Sequence, residues 1–268
     1  MAFADAHCHL QDPRLFYKVA EILRRARAAD VTLLHVNATE EADWPRVAAL
    51  AELHPGLIHS SFGIHPLRVE GCIRRWWLRL REQLADHPGG VGEIGLDGRR
   101  PGGLDAAQWT LFRAQWDLSC EMRRPVSIHG AGAWMPLLEH VLAAPPHPVG
   151  ALLHSYSGPV DALEEMARHN LFISLGGALT RPKNQRARRI AKAVQPGHFL
   201  LESDAPDQPP DCDAGPFPFL PLSDDTGQLL SEPAQIPRTA AVWAGLRGIS
   251  IEDLASQTQA ATHRLFGL

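Results

Sequence analysis

Two histidines stand at i and i+2 in Asp5-Ala6-His7-Cys8-His9, near the N-terminus. On an extended segment such a pair points to one side. Two imidazoles on one face of a strand form a chelating pair for a divalent cation. Phe3, Ala4, Ala6 and Leu10 make the segment read as a short buried strand. A lone His-x-His is weak, because the spacing arises easily by chance. It gains meaning from Glu93, His129, His154 and Asp204, each at or near the C-terminal end of a later apolar run. Four imidazoles and two carboxylates brought to one point would hold two divalent cations. Glu93 is the natural bridge, since a carboxylate has two oxygens to share. Two such cations about 3.5–4 Å apart lower the pKa of a water between them and stabilise the entering and leaving oxygens of a hydrolysis. Asp204 would ligate one cation and take the proton of that water. His35, His54 and His140 lack such companions and read as ordinary surface or core residues.

The elements that must gather these residues are legible as an alternation. Strand-like runs cover 3–9, Val31–Val36, Leu57–Ile64, Gly90–Asp97 with its exit loop, Pro125–His129, Val149–His154, Leu171–Leu175 and Phe199–Asp204. Helical patterns follow at Arg14–Ala29, Trp44–Leu53, Trp76–Ala85, Leu104–Met122, Trp134–Leu142, Val160–His169 and Asn184–Val194. Ala234–Leu246 and Ile251–Phe266 close the chain, and Gln115 interrupts the apolar face of the fourth helix. Alternation of this kind implies parallel strands with right-handed crossovers. Eight units in 268 residues predict one α/β domain over 1–268, a (β/α)8 TIM barrel. A doubly wound sheet is the alternative, but it would not gather the ends of strands one, four, five, six and eight. The segment Ala205–Pro233 is proline-rich, with Pro206, Pro209, Pro210, Pro216, Pro218, Pro221 and Pro233, and has no clear periodicity. A loop of that length has a functional job or is mobile.

Composition narrows the class. A net charge of -4 argues against a dedicated nucleic-acid coat, though not against a local basic groove. Cys8, Cys72, Cys120 and Cys212 form no Cys-x-x-Cys pair, so neither a zinc knuckle nor a disulfide framework is expected. Asp5 and His7 interrupt the N-terminus before an apolar run develops, so no signal peptide is expected. No stretch of about 18 apolar residues is present to span a membrane. A reduced, cytoplasmic setting is the expectation.

Beyond these residues, a run of motifs resembles the TatD-type metal-dependent hydrolases, a branch of the amidohydrolase-like barrels. The matching pieces are D-A-H-C-H-L at 5–10, G-I-H-P at 63–66, G-E-I-G-L-D at 92–97, Q-W-T-L-F-R-A-Q at 108–115 and P-V-S-I-H at 125–129. H-S-Y-S-G at 154–158, L-E-S-D-A-P at 201–206, Ser231-Glu232-Pro233 and the closing L-F-G-L at 265–268 continue the series. The resemblance covers essentially the whole chain in the right order. It implies a TIM barrel, a divalent metal site and, most often, deoxyribonuclease activity of the 3'-end exonuclease type. It places the metal ligands on His7, His9, Glu93, His129, His154 and Asp204. Related amidohydrolases bridge their metals with a carboxylated lysine; the glutamate at Glu93 is this family's own variant.

Departures from the family bear on substrate. Members often carry an arginine just after the fifth-strand histidine, where this chain has Gly130-Ala131-Gly132. The loop after Asp204 carries Asp207, Asp211, Asp213, Asp224 and Asp225, and acidic residues at the mouth would repel a polyanion. Against that stand Arg181, Lys183, Arg186, Arg188, Arg189 and Lys192 after strand seven. Arg181 and Lys183 are the expected phosphate contacts; the rest read equally well as a solvated helix face. His65 is expected to donate to a phosphate oxygen, the alternative being that it packs beside Pro66. The leading expectation is a phosphodiesterase with two divalent cations (Zn, Mn or Mg) acting on single-stranded DNA or strand ends, or on a small phosphodiester. The alternative is a metal-dependent hydrolase of a small ester, amide or phosphate with no DNA role. A non-catalytic scaffold would have no need of six ligands.

Overall fold

A computed structural model describes residues 1–72, 74–211, 213 and 217–268; Cys212 and Pro216 lie outside the described residues. Eight strands form one sheet: β1 (Phe3–Cys8), β2 (Val31–Asn37), β3 (Ile58–Phe62), β4 (Gly89–Gly95), β5 (Val126–His129), β6 (Ala151–Leu153), β7 (Leu171–Leu175) and β8 (Phe199–Leu201). They pair in sequence order, and every pair is parallel. This order has no reversal point, which excludes the doubly wound sheet. The ring is drawn together where β8 meets β1. Asp204 N donates to His7 O at 3.0 Å, and His9 N to Ala205 O at 2.7 Å. Asp5 ties the same seam from within: its carboxylate accepts from Ser203 N at 2.9 Å and Ser203 Oγ at 2.5 Å. Burial raises the Asp5 pKa to about 7 against those bonds.

The strands read as near-continuous apolar runs because both of their faces are covered. In β5, β6, β7 and β8 nearly every residue is buried. The helices cover the outer face: α1 (Pro13–Phe16), α2 (Val19–Ala28), α3 (Trp44–Leu53), α4 (Trp76–Asp86), α5 (Ala106–Glu121), α6 (Trp134–Ala143), α7 (Leu163–Arg168), α8 (Gln185–Ala193), α9 (Ile236–Arg247) and α10 (Ile251–Phe266). In α2, Val19, Ile22, Leu23 and Ala26 are buried, at the i, i+3, i+4, i+7 spacing of one helix face. The main core runs from Phe3 through Phe112 to Trp243. A smaller cluster joins Ala6, Leu152, Phe172 and Leu200 to Ala261 and Leu265 of α10.

Three local expectations are corrected. The helix expected over Arg14–Ala29 is two, broken at Tyr17-Lys18. Asp12 caps the first by accepting from Arg14 N at 2.8 Å, and Pro13 supplies the fixed φ that suits a first turn. That turn buries Leu15, and the chain restarts at a non-helical Lys18 so that the α2 stripe faces inward. The helix expected over Val160–His169 begins as a 3-10 turn, Val160–Ala162, and becomes α only at Leu163. The segment Ala205–Pro233 holds a small antiparallel pair, β9 (Leu222–Ser223) and β10 (Leu229–Leu230). Asp224 Oδ1 shapes its turn by accepting from Thr226 N and Gln228 N, at 2.8 and 2.9 Å. Two residues per strand are too few to register as periodicity. Among the described residues no helix is long and apolar enough to cross a membrane.

Candidate metal centre

All six expected ligands converge at the C-terminal ends of the strands, where a barrel's functional residues gather. Glu93 stands at their centre, 3% exposed, and its two oxygens face different partners. Oε2 lies 3.5 Å from His7 Nε2 and 3.3 Å from His9 Nε2. Oε1 lies 2.8 Å from His154 Nε2 and 3.0 Å from His129 Nδ1. Asp204 Oδ1 is 3.9 Å from His7 Nε2 and 3.8 Å from His9 Nε2. His7, His9 and Asp204 thus form one group able to hold a cation, and Glu93 with His7 and His154 another.

The outward-facing ring atoms explain which nitrogens face in. His9 Nδ1 donates to Asn37 O at 2.8 Å, which leaves the Nε2 lone pair pointing at the centre. His129 Nε2 donates to Asp97 Oδ2 at 2.9 Å, which leaves Nδ1 inward. His7 Nδ1 is tied to Ser127 Oγ at 2.8 Å. Such outer bonds orient ligand histidines and raise their basicity. His7 Nε2 and His9 Nε2 then face each other at 3.1 Å, a contact that calls for a positive charge between them. A proton or a divalent cation supplies it, and nitrogen plus carboxylate is a donor set that suits the cation.

His65 differs. Its Nδ1 accepts from Leu67 N at 3.1 Å, so the neutral ring carries its proton on Nε2, 3.3 Å from Glu93 Oε1. That is a donor aimed into the site. Although His65, Glu93 and His129 lie close enough to make a third ligand group, this tautomer favours donation over ligation.

The electrostatics follow from burial and from Glu93. Burial alone would push the Glu93 carboxyl up; the charge of His154, with bonds from His129 and His154, holds it well below the usual range. Burial opposes a charged His9, but the bond and charge of Glu93, then Asp204, raise it to about 9. Burial likewise opposes the charge on His154, and the Glu93 charge raises it regardless. His7 moves the other way, lowered by burial and by the charge of His154, on whose ring it stacks at 3.9 Å. Burial raises Asp204 to about 6, helped by Glu202 and resisted by His154 and His9. A carboxyl near neutrality is well placed to accept a proton. Gln208 Nε2 orients it at 2.5 Å.

Several residues that build the site were not expected from their types. Gln108 and Gln115 of α5 are buried. Seven positions apart, they share one helix face two turns apart. Each pairs with a backbone amide unit at the mouth. Gln115 takes Ile64 N at 2.8 Å and gives to Ile64 O at 3.0 Å, fixing the loop that carries His65. Gln108 does the same to Asp97, at 2.8 and 3.2 Å. The polar interruption at Gln115 is therefore the functional face of the helix. Glu202, fully buried, accepts from Ser174 Oγ at 2.6 Å and lies 3.7 Å from His154 Nδ1. Gly95 brings β4 and β5 close: a Cβ there would stand 2.0 Å from His129 O.

A cleft of about 970 Å³ opens over the centre, lined among others by His65, Arg181, Asp204 and Asp207. Lys183 is exposed and does not line it. Of the acidic loop, Asp207 reaches the cleft, and Arg14 neutralises it at 2.9 Å. Glu232 of Ser231-Glu232-Pro233 is buried on Arg25, and Ser231 Oγ donates to Ser203 O at 2.8 Å, so this motif anchors the loop.

Known proteins match this chain and its fold. The family model described as TatD related DNase matches residues 4–267. The chain is 30% identical over 271 residues to an uncharacterized metal-dependent hydrolase, YjjV, of Escherichia coli, covering 99% of this chain and 98% of that one. It is 29% identical over 251 residues to the 3'-5' ssDNA/RNA exonuclease TatD of Erwinia tasmaniensis, covering 92% and 93%. The crystal structure of YjjV superposes with a TM-score of 0.88 at 28% identity, over 99% of this chain and 98% of that one. The chain therefore belongs to the TatD related DNase family and is a metal-dependent hydrolase.

Proposed function

We propose that this chain hydrolyses phosphodiester bonds at the 3' ends of single-stranded nucleic acid, with two divalent cations held by His7, His9, Glu93, His129, His154 and Asp204. The observation that carries this reading is the division of Glu93: one oxygen faces His7 and His9, the other His129 and His154. A relative named as a 3'-5' ssDNA/RNA exonuclease supports the substrate class. Cations bound there supply Lewis acidity toward a water and the phosphoryl oxygens. Asp204 accepts the proton of the attacking water, its carboxylate oriented by Gln208 Nε2. His65 donates from Nε2 to a phosphoryl oxygen, in the tautomer that Leu67 N imposes. Glu93, with five histidines around it and its carboxyl held well below the usual range, is the ionised member of the site. The concave mouth admits a strand end or a flexible strand more readily than an uninterrupted duplex.

Chelator-stripped protein reloaded with zinc, manganese or magnesium tests the proposal. The expected result is cation-dependent shortening of 5'-labelled single-stranded DNA from its 3' end, with closed circular duplex left intact. Rapid nicking of the circle would refute the end preference. Turnover of small esters or amides with no phosphodiesterase activity under any cation would replace this function with the small-substrate alternative.

A further inference from the structure

Five arginines line the cleft, and they differ in what holds them. Arg14 is bound by Asp12 and Asp207, each at 2.9 Å. Arg68 lies 3.6 Å from Glu40. Arg46 stacks on Phe16, and Arg181 reaches the Pro209 carbonyl at 3.4 Å. Arg99 is exposed, and among the described residues its guanidinium has neither an ion pair nor a hydrogen bond. Its neighbour Arg100 is committed elsewhere, to Glu70 at 3.0 Å and Asp105 at 3.7 Å.

The backbone and stem of Arg99 are nevertheless held in place. Asp97 Oδ1 accepts from Arg99 N at 2.7 Å, while Oδ2 of the same carboxylate accepts from His129 Nε2 at 2.9 Å. The arginine and a proposed metal ligand therefore hang on one side chain. The stem of Arg99 lies across Gly132, whose φ is +65° and where a Cβ would stand 3.1 Å from Arg99 Cγ. A side chain at 132 would be both strained and in the way. At Gly98 a Cβ would meet Gly132 O at 2.6 Å. The stretch Gly130-Ala131-Gly132, which carries no arginine of its own, is the floor beneath an arginine delivered from the β4 exit loop.

We propose that Arg99 binds a phosphate adjacent to the scissile one, and so selects oligonucleotides over isolated phosphodiesters. The proposal rests on the phosphodiesterase reading of this site. A histidine ring and a carboxylate, His129 then Asp97, separate the Arg99 backbone from Glu93. Arg99 lines the same cleft without joining the groups gathered on Glu93, which suits it to the neighbouring phosphate rather than the one being cleaved. An arginine without a carboxylate partner is free to make a charge-assisted, bidentate contact with it.

The test is steady-state kinetics of the wild type, Arg99→Ala and Arg99→Lys on a short single-stranded oligonucleotide and on bis-p-nitrophenyl phosphate, at several salt concentrations. Arg113→Ala, which removes an exposed arginine stacked on Trp109 outside the cleft, is the control for loss of charge. For Arg99→Ala the oligonucleotide KM should rise about tenfold with kcat changed less than threefold. The rise should be at least about fivefold larger than that for the small diester. The slope of log KM against log salt should fall by about 0.7, the value of one single-strand phosphate contact. Arg99→Lys should restore that slope and only part of the KM, because lysine keeps the charge and loses the fork. Wild-type KM and slope in Arg99→Ala, or an equal rise on both substrates, would overturn the assignment and leave the phosphodiesterase reading standing. A wild type that cleaves no oligonucleotide with any cation would remove both.

Discussion

The mouth of the barrel and its flank both bury histidines, and they do so in opposite ways. At the mouth, His9, His129 and His154 converge on the Glu93 carboxylate, and all three have raised pKa values despite burial. On the flank, His35 and His147 have no carboxylate partner. His35 Nε2 meets Ser61 Oγ at 2.6 Å and its ring stacks on Phe266; His147 Nε2 meets Ser119 Oγ at 3.1 Å, beside Trp116. Burial lowers them to about 3 and about 4. A buried histidine is a candidate cation ligand where a carboxylate shares its pocket, and a packing residue where none does. The type of residue is the same; the neighbour decides.

The comparison breaks most visibly at Asp204. Asp204→Asn keeps the volume but accepts no proton, and kcat should fall by about 10²–10⁴-fold with the fold intact by circular dichroism. A variant retaining most of the wild-type rate would remove Asp204 as the base. Next come the groups behind the histidines. Asp97→Asn at the mouth should weaken cation affinity or activity about 10–100-fold, because it withdraws the charge that orients His129. Ser119→Ala on the flank should cost only about 1 kcal/mol of stability and leave cation affinity unchanged. Titration calorimetry and thermal denaturation separate the two; equal effects on cation binding would erase the distinction.

Charge at the rim gives a smaller effect. Arg181→Glu should weaken single-stranded DNA binding several-fold and flatten its salt dependence, while Lys183→Glu, outside the cleft, should do less. Anisotropy of a labelled oligonucleotide checks the order. The smallest effect is in the pH dependence of stability. His147 has a folded pKa of about 4, below the ordinary 6.5, so the unfolded chain takes up its proton first as pH falls. Stability is therefore lost between pH 6.5 and about 4, by roughly 1–3 kcal/mol from this group. His147→Asn offers the Gly150 amide an acceptor that does not titrate. It should be less stable than the wild type at pH 7.5 yet lose less between pH 7.5 and 5. A parallel decline in both would assign the acid sensitivity elsewhere.

The barrel was legible because eight apolar runs alternate with helical pattern, and the six proposed ligands because metal-type residues recur at strand ends. What was not legible depends on neighbours brought in from afar. Gln115 looks like a defect in an apolar stripe until Ile64 is seen against it. Its spacing to Gln108, two helical turns, was the available signal. Arg99 looks no different from Arg100 until Asp97, Gly132 and Glu70 are placed around them. Asp207 looks repulsive to a polyanion until Arg14 covers it. The hairpin of β9 and β10 rests on an Asp224 turn and two short strands, below what a pattern can reveal.

Cation stoichiometry tests the central claim, that Glu93 joins two sites. Elemental analysis of the purified chain, stripped and then dialysed against manganese or zinc, should find two equivalents per wild-type chain. It should find one or fewer in Glu93→Gln, with hydrolysis of single-stranded DNA lost in parallel. Two equivalents retained by Glu93→Gln, or full wild-type activity with one cation or none, would contradict it.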